Sequence, residues 1–437
     1  MKNVVTNLYA EYGRYTDSMR AISWHIDGLK PIQRRILLAV HEVARNKFVK
    51  SARIVGHTIS CYSPHGDAST YDTMVSLVQL GYVKGQGNFG FNGLVDVSPA
   101  AYRYTEACTQ KVLDDMFSEF LDFVPWEPLE LDPEPLYLPS PVPIGLIGLD
   151  GLNSGISFNT TKVPRFTFKD LISRLLYLID PNNNLKFIPK PQFKNCLVNE
   201  ITPNAFEEIF TKGISTIQVI PNAEVKDNDL FIYGKNPLYG FSKLLSFLEK
   251  YEETNKQPYC NVIDLTEKEI LKIRITPYRK KIDSDFINKI GSLLMCNVNV
   301  LCNFVNDDGS VSTYPLDTII LNSFNKWKEA WLKKNNHELG LLEKKLTELN
   351  AISIIRKILE DNPTVKTIDE IIKLYNNSYT VNNVSQDLIK EVCSKHRIKT
   401  LIEKEINIKE VEEEIKLLKN NIVNHDSIVL NRVNSLK

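Results

Sequence analysis

The stretch "PIQRRILLAVHEV", Pro31–Val43, opens on a proline and then repeats apolar residues at helical spacing. Proline is tolerated in a first helical turn, and Ile32, Ile36, Leu37, Val40 and Val43 then share one face. Working outward, "KSARIVGHTIS" (50–60) predicts a second helix with Ala52, Val55 and Ile59 inward. After the break "YSPHG" (62–66), Tyr71, Met74, Val75 and Val78 mark a third. Two helices joined by a short Pro/Gly turn on a basic background are compatible with a helix-turn-helix, although many such pairs are plain structure. Residues 27–57 hold seven basic and two acidic side chains, whereas 112–135 hold eight acidic and no basic ones. A basic patch steers polyanions. The acidic run alternates with prolines and aromatics and reads as surface or a subunit contact.

Farther along, seven prolines in the nineteen residues 125–143 require an extended chain. Residues 165–321 read as a separate α/β domain. Its strand-like runs are "TIQVI", "DLFIY", "KIRIT" and "NVNVLCNFV", with helical stretches such as "FSKLLSFLEKYEE" between them. "NDDG" (306–309) predicts a hairpin turn. Beyond 322, Phe324, Trp327, Trp331, Leu339, Leu342, Leu346 and Leu349 fall on helical spacings. Ile408, Val411, Ile415, Leu418 and Ile422 keep the 3-4-3-4 spacing of a coiled-coil seam. The expectation is an antiparallel coiled-coil arm with a small helical tip at about 360–405.

The 437 residues are 43% hydrophobic and 24% charged, with 53 basic and 53 acidic side chains, so global charge selects no partner. Seven cysteines without a CxxC pair argue for a reducing, cytoplasmic compartment and against a zinc site or disulfide frame. The N-terminus lacks a signal-peptide core, and no apolar run reaches bilayer-spanning length, which excludes a membrane reading. "GQGNFG" (85–90) matches the dinucleotide fingerprint only in letters, because "FNGLVDVSP" follows where a helix is required. Its glycines read instead as a tight turn permitting close backbone approach. Histidines are dispersed, no metal-ligand spacing occurs, and no GxSxG elbow is present.

What remains is a constellation of Arg34, His65, Arg103 and Tyr104. A phenol with a pKa of about 10 is a poor nucleophile at neutral pH. Arginines offset this by stabilising phenolate and the charge on a pentavalent phosphorus, and a histidine can orient a phosphate or relay a proton. In "PAAYRYTEA" (99–107), side-chain chemistry alone does not separate Tyr102 from Tyr104.

"DGLKPIQRRIL" (27–37), "KSARIVG" (50–56), "YSPHGDASTYD" (62–72), "GQGNFG" and "AYRYTEA" (101–107) stand in the order found in type IIA DNA topoisomerase breakage–reunion subunits. The chain resembles that family, which includes the gyrase A and topoisomerase IV A subunits. Its layout is nearest to the medium subunit of T4-like phage topoisomerases. The resemblance implies a multidomain α+β protein: an N-terminal arm (1–26), a helix-turn-helix or winged-helix DNA-gate domain (27–164), a tower domain (165–321), and a coiled coil with a C-gate tip (322–437). It assigns Tyr104 as the nucleophile forming a 5′-phosphotyrosyl link, with Arg103 beside it and Arg34 and His65 near the scissile phosphate. Tyr102 falls where relatives carry an apolar residue. Arg35, Lys47, Lys50 and Arg53 become candidates for DNA-backbone contacts, and Ile156 for the wedge that bends the duplex.

Departures from the family pattern carry their own expectations. Ser63 replaces a histidine, and Ala68 replaces the serine that helps hold quinolones, while Asp72 keeps its acidic companion position. Weak quinolone sensitivity and a phage or divergent origin follow. The resemblance also implies Mg2+ and ATP bound by a partner ATPase/Toprim-type subunit, homodimerisation through DNA gate and C-gate, and double-stranded DNA as substrate. Without a P-loop or a wrapping domain after Lys437, relaxation or decatenation is expected rather than negative supercoiling. The competing readings are another tyrosine-dependent DNA strand transferase and a non-catalytic helix-turn-helix coiled-coil protein.

Overall fold

Helix α2, Pro31–Ala44, starts at the proline, whose missing amide hydrogen costs nothing in a first turn. A computed structural model describes residues 2–148, 152–154, 161–182, 184–267, 270–365, 367–379, 384–395 and 407–436. Helix α1, Lys2–Thr16, precedes α2, and α3, Ser51–Cys61, and α4, Asp67–Gln79, follow it. Ile36, Leu37, Val40, Ile54, Val55, Tyr71, Met74 and Val75 enter one core, as their spacing requires. Ala52 differs from expectation: it is half-buried and Ser51 takes the buried place, because the Ser51 amide donates to the Thr105 carbonyl at 3.0 Å.

A small antiparallel sheet closes this helical group. Its strands are β1, Val49–Lys50, β2, Val83–Gln86, and β3, Glu106–Thr109, in the order β1-β3-β2. The segment joining β2 to β3, residues 87–105, carries both tyrosines of the "AYRYTEA" motif. After α5, Lys111–Phe117, the proline-rich stretch is extended and forms the ribbon β4, Trp126–Pro128, with β5, Pro133–Pro135.

Two larger sheets follow. The five-stranded one contains β6, Leu152–Ser154, β7, Lys162–Pro164, β8, Cys196–Glu200, β9, Ile214–Pro221, and β14, Cys296–Leu301, in the order β6-β7-β14-β9-β8. The four-stranded one contains β10, Ala223–Lys226, β11, Asp229–Ile232, β12, Cys260–Asp264, and β13, Ile273–Pro277, in the order β10-β11-β13-β12. Alternation places Ile217 and Val219 of β9 inside, and the neighbouring residues of that strand face outward in part. Helices α6, Phe168–Ile179, α7, Ala205–Thr211, α8, Ser242–Asn255, and α9, Ser284–Leu294, pack among these strands. "NDDG" makes the turn between β15, Asn303–Val305, and β16, Val311–Thr313.

The chain divides into two compact units, Met1–Lys328 with Val433–Lys437, and Glu329–Arg432. Helix α10, Leu316–Asp361, runs from the first into the second. Within the second unit, Ile352, Ile355 and Ile358 of α10 pack with Ile371 of α11, Ile368–Leu374, and with Ile389 and Val392 of α12, Gln386–Lys395. Helix α13, Ile408–Val423, buries Val411 and Ile415 of its predicted seam, and Lys419 meets Glu343 of α10 at 2.8 Å. Helix α14, His425–Ser435, ends the described chain. Among the described residues, no helix is long and apolar enough to cross a membrane.

Candidate active site

Tyr104 lies two residues before β3 and is 66% exposed. Its neighbour Thr105 is fully buried and anchors the turn. The Thr105 hydroxyl donates to Ser51 Oγ at 2.8 Å and lies 3.0 Å from the Tyr71 hydroxyl. Tyr71 in turn donates to the Ala100 carbonyl at 2.7 Å, and the Ala52 amide donates to the Tyr102 carbonyl at 3.2 Å. The amide of Tyr104 closes the turn on the Ala101 carbonyl at 2.9 Å. A fixed backbone therefore presents a free phenol. The Arg103 guanidinium lies 4.9 Å from the centroid of the Tyr104 ring, within cation–π range.

Tyr102 is held differently. Its ring packs edge-on against Tyr71 at 5.7 Å, and its hydroxyl donates to Asp67 Oδ2 at 3.0 Å. That hydrogen bond to a carboxylate raises the Tyr102 pKa above its ordinary value and disfavours phenolate. Gly87 explains the glycine run beside this turn. With φ at +108°, it would bring an added Cβ to 3.4 Å from Thr105 Cα.

Arg34 and Arg35 are both 1% exposed. Arg34 Nε donates to Asp27 Oδ2 at 2.7 Å and Nη2 to Oδ1 at 3.0 Å. Asp27 also accepts from the Leu29 and Leu138 amides, each at 3.1 Å. Arg35 Nη2 donates to Glu134 at 2.7 Å, and Nη1 reaches Glu130. Arg35, a candidate for contacting the DNA backbone, is therefore corrected to a buried residue. Its guanidinium is enclosed by two carboxylates from the β4–β5 region. Helix α2 is basic in its own sequence, but the acidic run supplies internal counter-charges, and Asp114 likewise pairs with His41 at 2.7 Å. The reading of residues 112–135 as surface or a subunit contact is thus corrected for Asp114, Glu130 and Glu134, whereas Asp115, Glu119, Asp122, Glu127 and Asp132 are exposed.

His65 sits in the turn before α4, its Nε2 3.5 Å from Glu130 Oε1 and its Nδ1 3.5 Å from Arg20 Nη2. Tyr15 of α1 also donates to Glu130. Burial pushes the Glu130 carboxyl up, but the hydrogen bonds from Tyr15 and Arg35 outweigh it, leaving its pKa below the ordinary glutamate value. Glu130, Tyr15 and Arg20 escape residue-by-residue reading. The signal available was an acidic run of unusual purity after a basic one.

Lys47 and Arg53 are exposed and carry no ion pair among the described residues, whereas Lys50 pairs with Glu106 at 2.7 Å. Ala68 and Asp72 lie one turn apart on the exposed face of α4. Ile156 lies outside the described residues. Among the described residues, no hydrogen bond or ion pair joins Tyr104 or Arg103 to Arg34 or His65, and no group of three or more His, Cys, Asp or Glu is arranged for a metal ion.

A family model for the A subunit of DNA gyrase/topoisomerase IV matches residues 20–435. The DNA gyrase A subunit of Haemophilus influenzae is 30% identical over 405 residues, covering 86% of this chain and 44% of that protein. Its counterpart in Buchnera aphidicola subsp. Acyrthosiphon pisum is 29% identical over 434 residues, covering 92% of this chain and 50% of that one. The Campylobacter jejuni gyrase A subunit is 38% identical over 212 residues, 44% of this chain and 24% of its own length. The chain spans about half the length, or less, of these curated relatives.

Proposed function

The chain belongs to the family of DNA gyrase and topoisomerase IV A subunits, and on that footing we propose that it is the breakage–reunion subunit of a type II DNA topoisomerase. The observation that carries this reading is the contrast between two tyrosines in one turn. Tyr104 is exposed beside Arg103, and Tyr102 is tied to Asp67. The Tyr104 Oη would attack a backbone phosphorus, forming an O–P bond as the P–O3′ bond breaks. The phenol gives up its proton, and the departing 3′ oxygen takes one. The phosphotyrosyl ester stores the bond energy, so reversal reseals the strand. Arg103 stabilises charge on the phosphorus, and His65 orients the phosphate or relays a proton. Arg34, held by Asp27, is proposed to act near the scissile phosphate in the dimer site.

In this reading residues 27–164 form a winged-helix DNA gate, 165–321 a tower, and 322–437 a coiled-coil arm with a C-gate tip. The working enzyme is a cytoplasmic dimer joined to an ATPase subunit. Mg2+ and ATP belong to that assembly. Both are proposed to be held by the partner subunit, and the roles assigned to this chain are those of its own side chains.

The test combines the chain with its ATPase/metal-binding subunit, Mg2+ and supercoiled plasmid. Denaturant should trap a covalent DNA–protein adduct whose DNA-bearing peptide contains Tyr104. An adduct on another residue, or relaxation without one, would refute the proposal.

Two further outcomes follow from the surface. Changing Lys47 and Arg53 together to Gln should weaken duplex binding uniformly across sequences and reduce the log K against log salt slope by about 2. An unchanged slope would remove both from the DNA path. Ala68 offers no hydroxyl, and restoring one hydrogen bond is worth about 1 kcal/mol, roughly a fivefold change. Ala68→Ser should therefore lower the quinolone concentration needed to trap cleavage by about that factor; equal potency in the two proteins would dismiss the idea.

A further inference from the structure

The segment from 87 to 105 is anchored at its far tip as well as at Thr105. Lys235, just after β11, donates through Nζ to Asp96 Oδ2 at 2.6 Å and reaches Asn92 Oδ1 at 3.5 Å. The Leu94 amide donates to Asp264 Oδ2 at 2.8 Å, at the end of β12. The Leu94 side chain packs against the apolar cluster that includes Leu230, Ile273 and Phe286. Gly93 lets the backbone in, since a Cβ there would meet Asp264 Oδ2 at 2.8 Å. Burial raises the Asp264 carboxyl, yet hydrogen bonds from Thr266 and from the Leu94 amide bring its pKa below the usual aspartate value.

Hydrogen bonds continue from this tip back to Tyr104. Phe91 and Val97 exchange amide–carbonyl bonds of 3.2 and 3.0 Å. The Ala100 amide donates to the Asn88 carbonyl at 2.9 Å, and Gln79 Nε2 donates to the Phe89 carbonyl at 2.9 Å. The Tyr71 hydroxyl then takes Ala100 and Thr105 together. The two limbs form a cross-tied strut, with Tyr104 at one end and the four-stranded sheet at the other.

We propose that Lys235 and Asp264 are positioning residues for Tyr104, holding the phenol in register through the 92–96 tip and coupling the four-stranded sheet to the nucleophile. This rests on reading Tyr104 as the nucleophile. Misplacing a reacting group by about 1 Å costs up to roughly 100-fold, and loosening one partly exposed ion pair should cost a part of that, about three- to tenfold.

The experiment uses the chain assembled with its ATPase/metal-binding subunit, plasmid DNA and Mg2+, and reads adduct yield at saturating DNA alongside DNA affinity. Asp96→Lys and Lys235→Asp should each lower adduct yield about three- to tenfold with unchanged affinity, and the combined charge swap should restore it to within about twofold. Lys235→Met, which keeps the stem, should match Lys235→Asp. Amide hydrogen exchange on the chain alone supplies a second readout. Protection at Phe91, Leu94 and Val97 should fall together in Lys235→Asp and in Asp264→Asn. Wild-type adduct yield in the single variants, or a swap without rescue, would overturn the coupling. Unchanged exchange would overturn the anchoring. Should Tyr104→Phe retain the adduct, the functional reading fails, and the exchange arm still judges the strut.

Discussion

Tyr104→Phe is expected to abolish the trapped DNA–protein adduct, a loss on the order of 1000-fold or more, while leaving duplex affinity within about twofold. Tyr104 is 66% exposed, so deleting its hydroxyl removes no buried hydrogen bond and should leave the fold intact. The turn is held by Thr105, Ser51 and Tyr71, none of which uses that hydroxyl. Tyr102→Phe is the matched control. It breaks the solvent-exposed hydrogen bond to Asp67, yet adduct formation should persist. Adduct yield as high in Tyr104→Phe as in the unaltered chain would sink the assignment. Loss in Tyr102→Phe alone would move the nucleophile to the other ring.

Asp27→Ala is expected to destabilise the first unit by about 3–5 kcal/mol, read as a lowered urea midpoint. Asp27 is fully buried and accepts four hydrogen bonds, two from Arg34 and one each from the Leu29 and Leu138 amides. Removing it leaves a guanidinium without its partner where water does not reach, together with two orphaned amides. The double variant Asp27→Ala/Arg34→Met should recover part of the loss, because an apolar pair needs no counter-charge. A midpoint unchanged in Asp27→Ala would show that the pair contributes nothing.

The helices around Pro31–Val78 are legible in the sequence because each repeats a simple apolar period into one core. Strands such as Ile214–Pro221 are legible because β-branched residues crowd a short run, Thr216, Ile217, Val219 and Ile220. The exposed Tyr104 is legible only through the motif around it, since nothing in a lone tyrosine distinguishes nucleophile from filler. Arg35 misleads for a physical reason. Local sequence shows a basic helix, and the carboxylates that neutralise it arrive about a hundred residues later, in Glu130 and Glu134. The tie between Asp96 and Lys235 is equally hidden, because long-range ion pairs leave no periodic trace.

The adjacent arginines of α2 have a mechanical consequence. Successive residues leave a helix about 100° apart around its axis. Arg34 is pulled toward Asp27 at the helix's own entry, and Arg35 toward Glu130 and Glu134 on the ribbon side. Rolling α2 about its axis to relax one pair would stretch the other. The helix is keyed against torsion in the manner of a shaft with two splines.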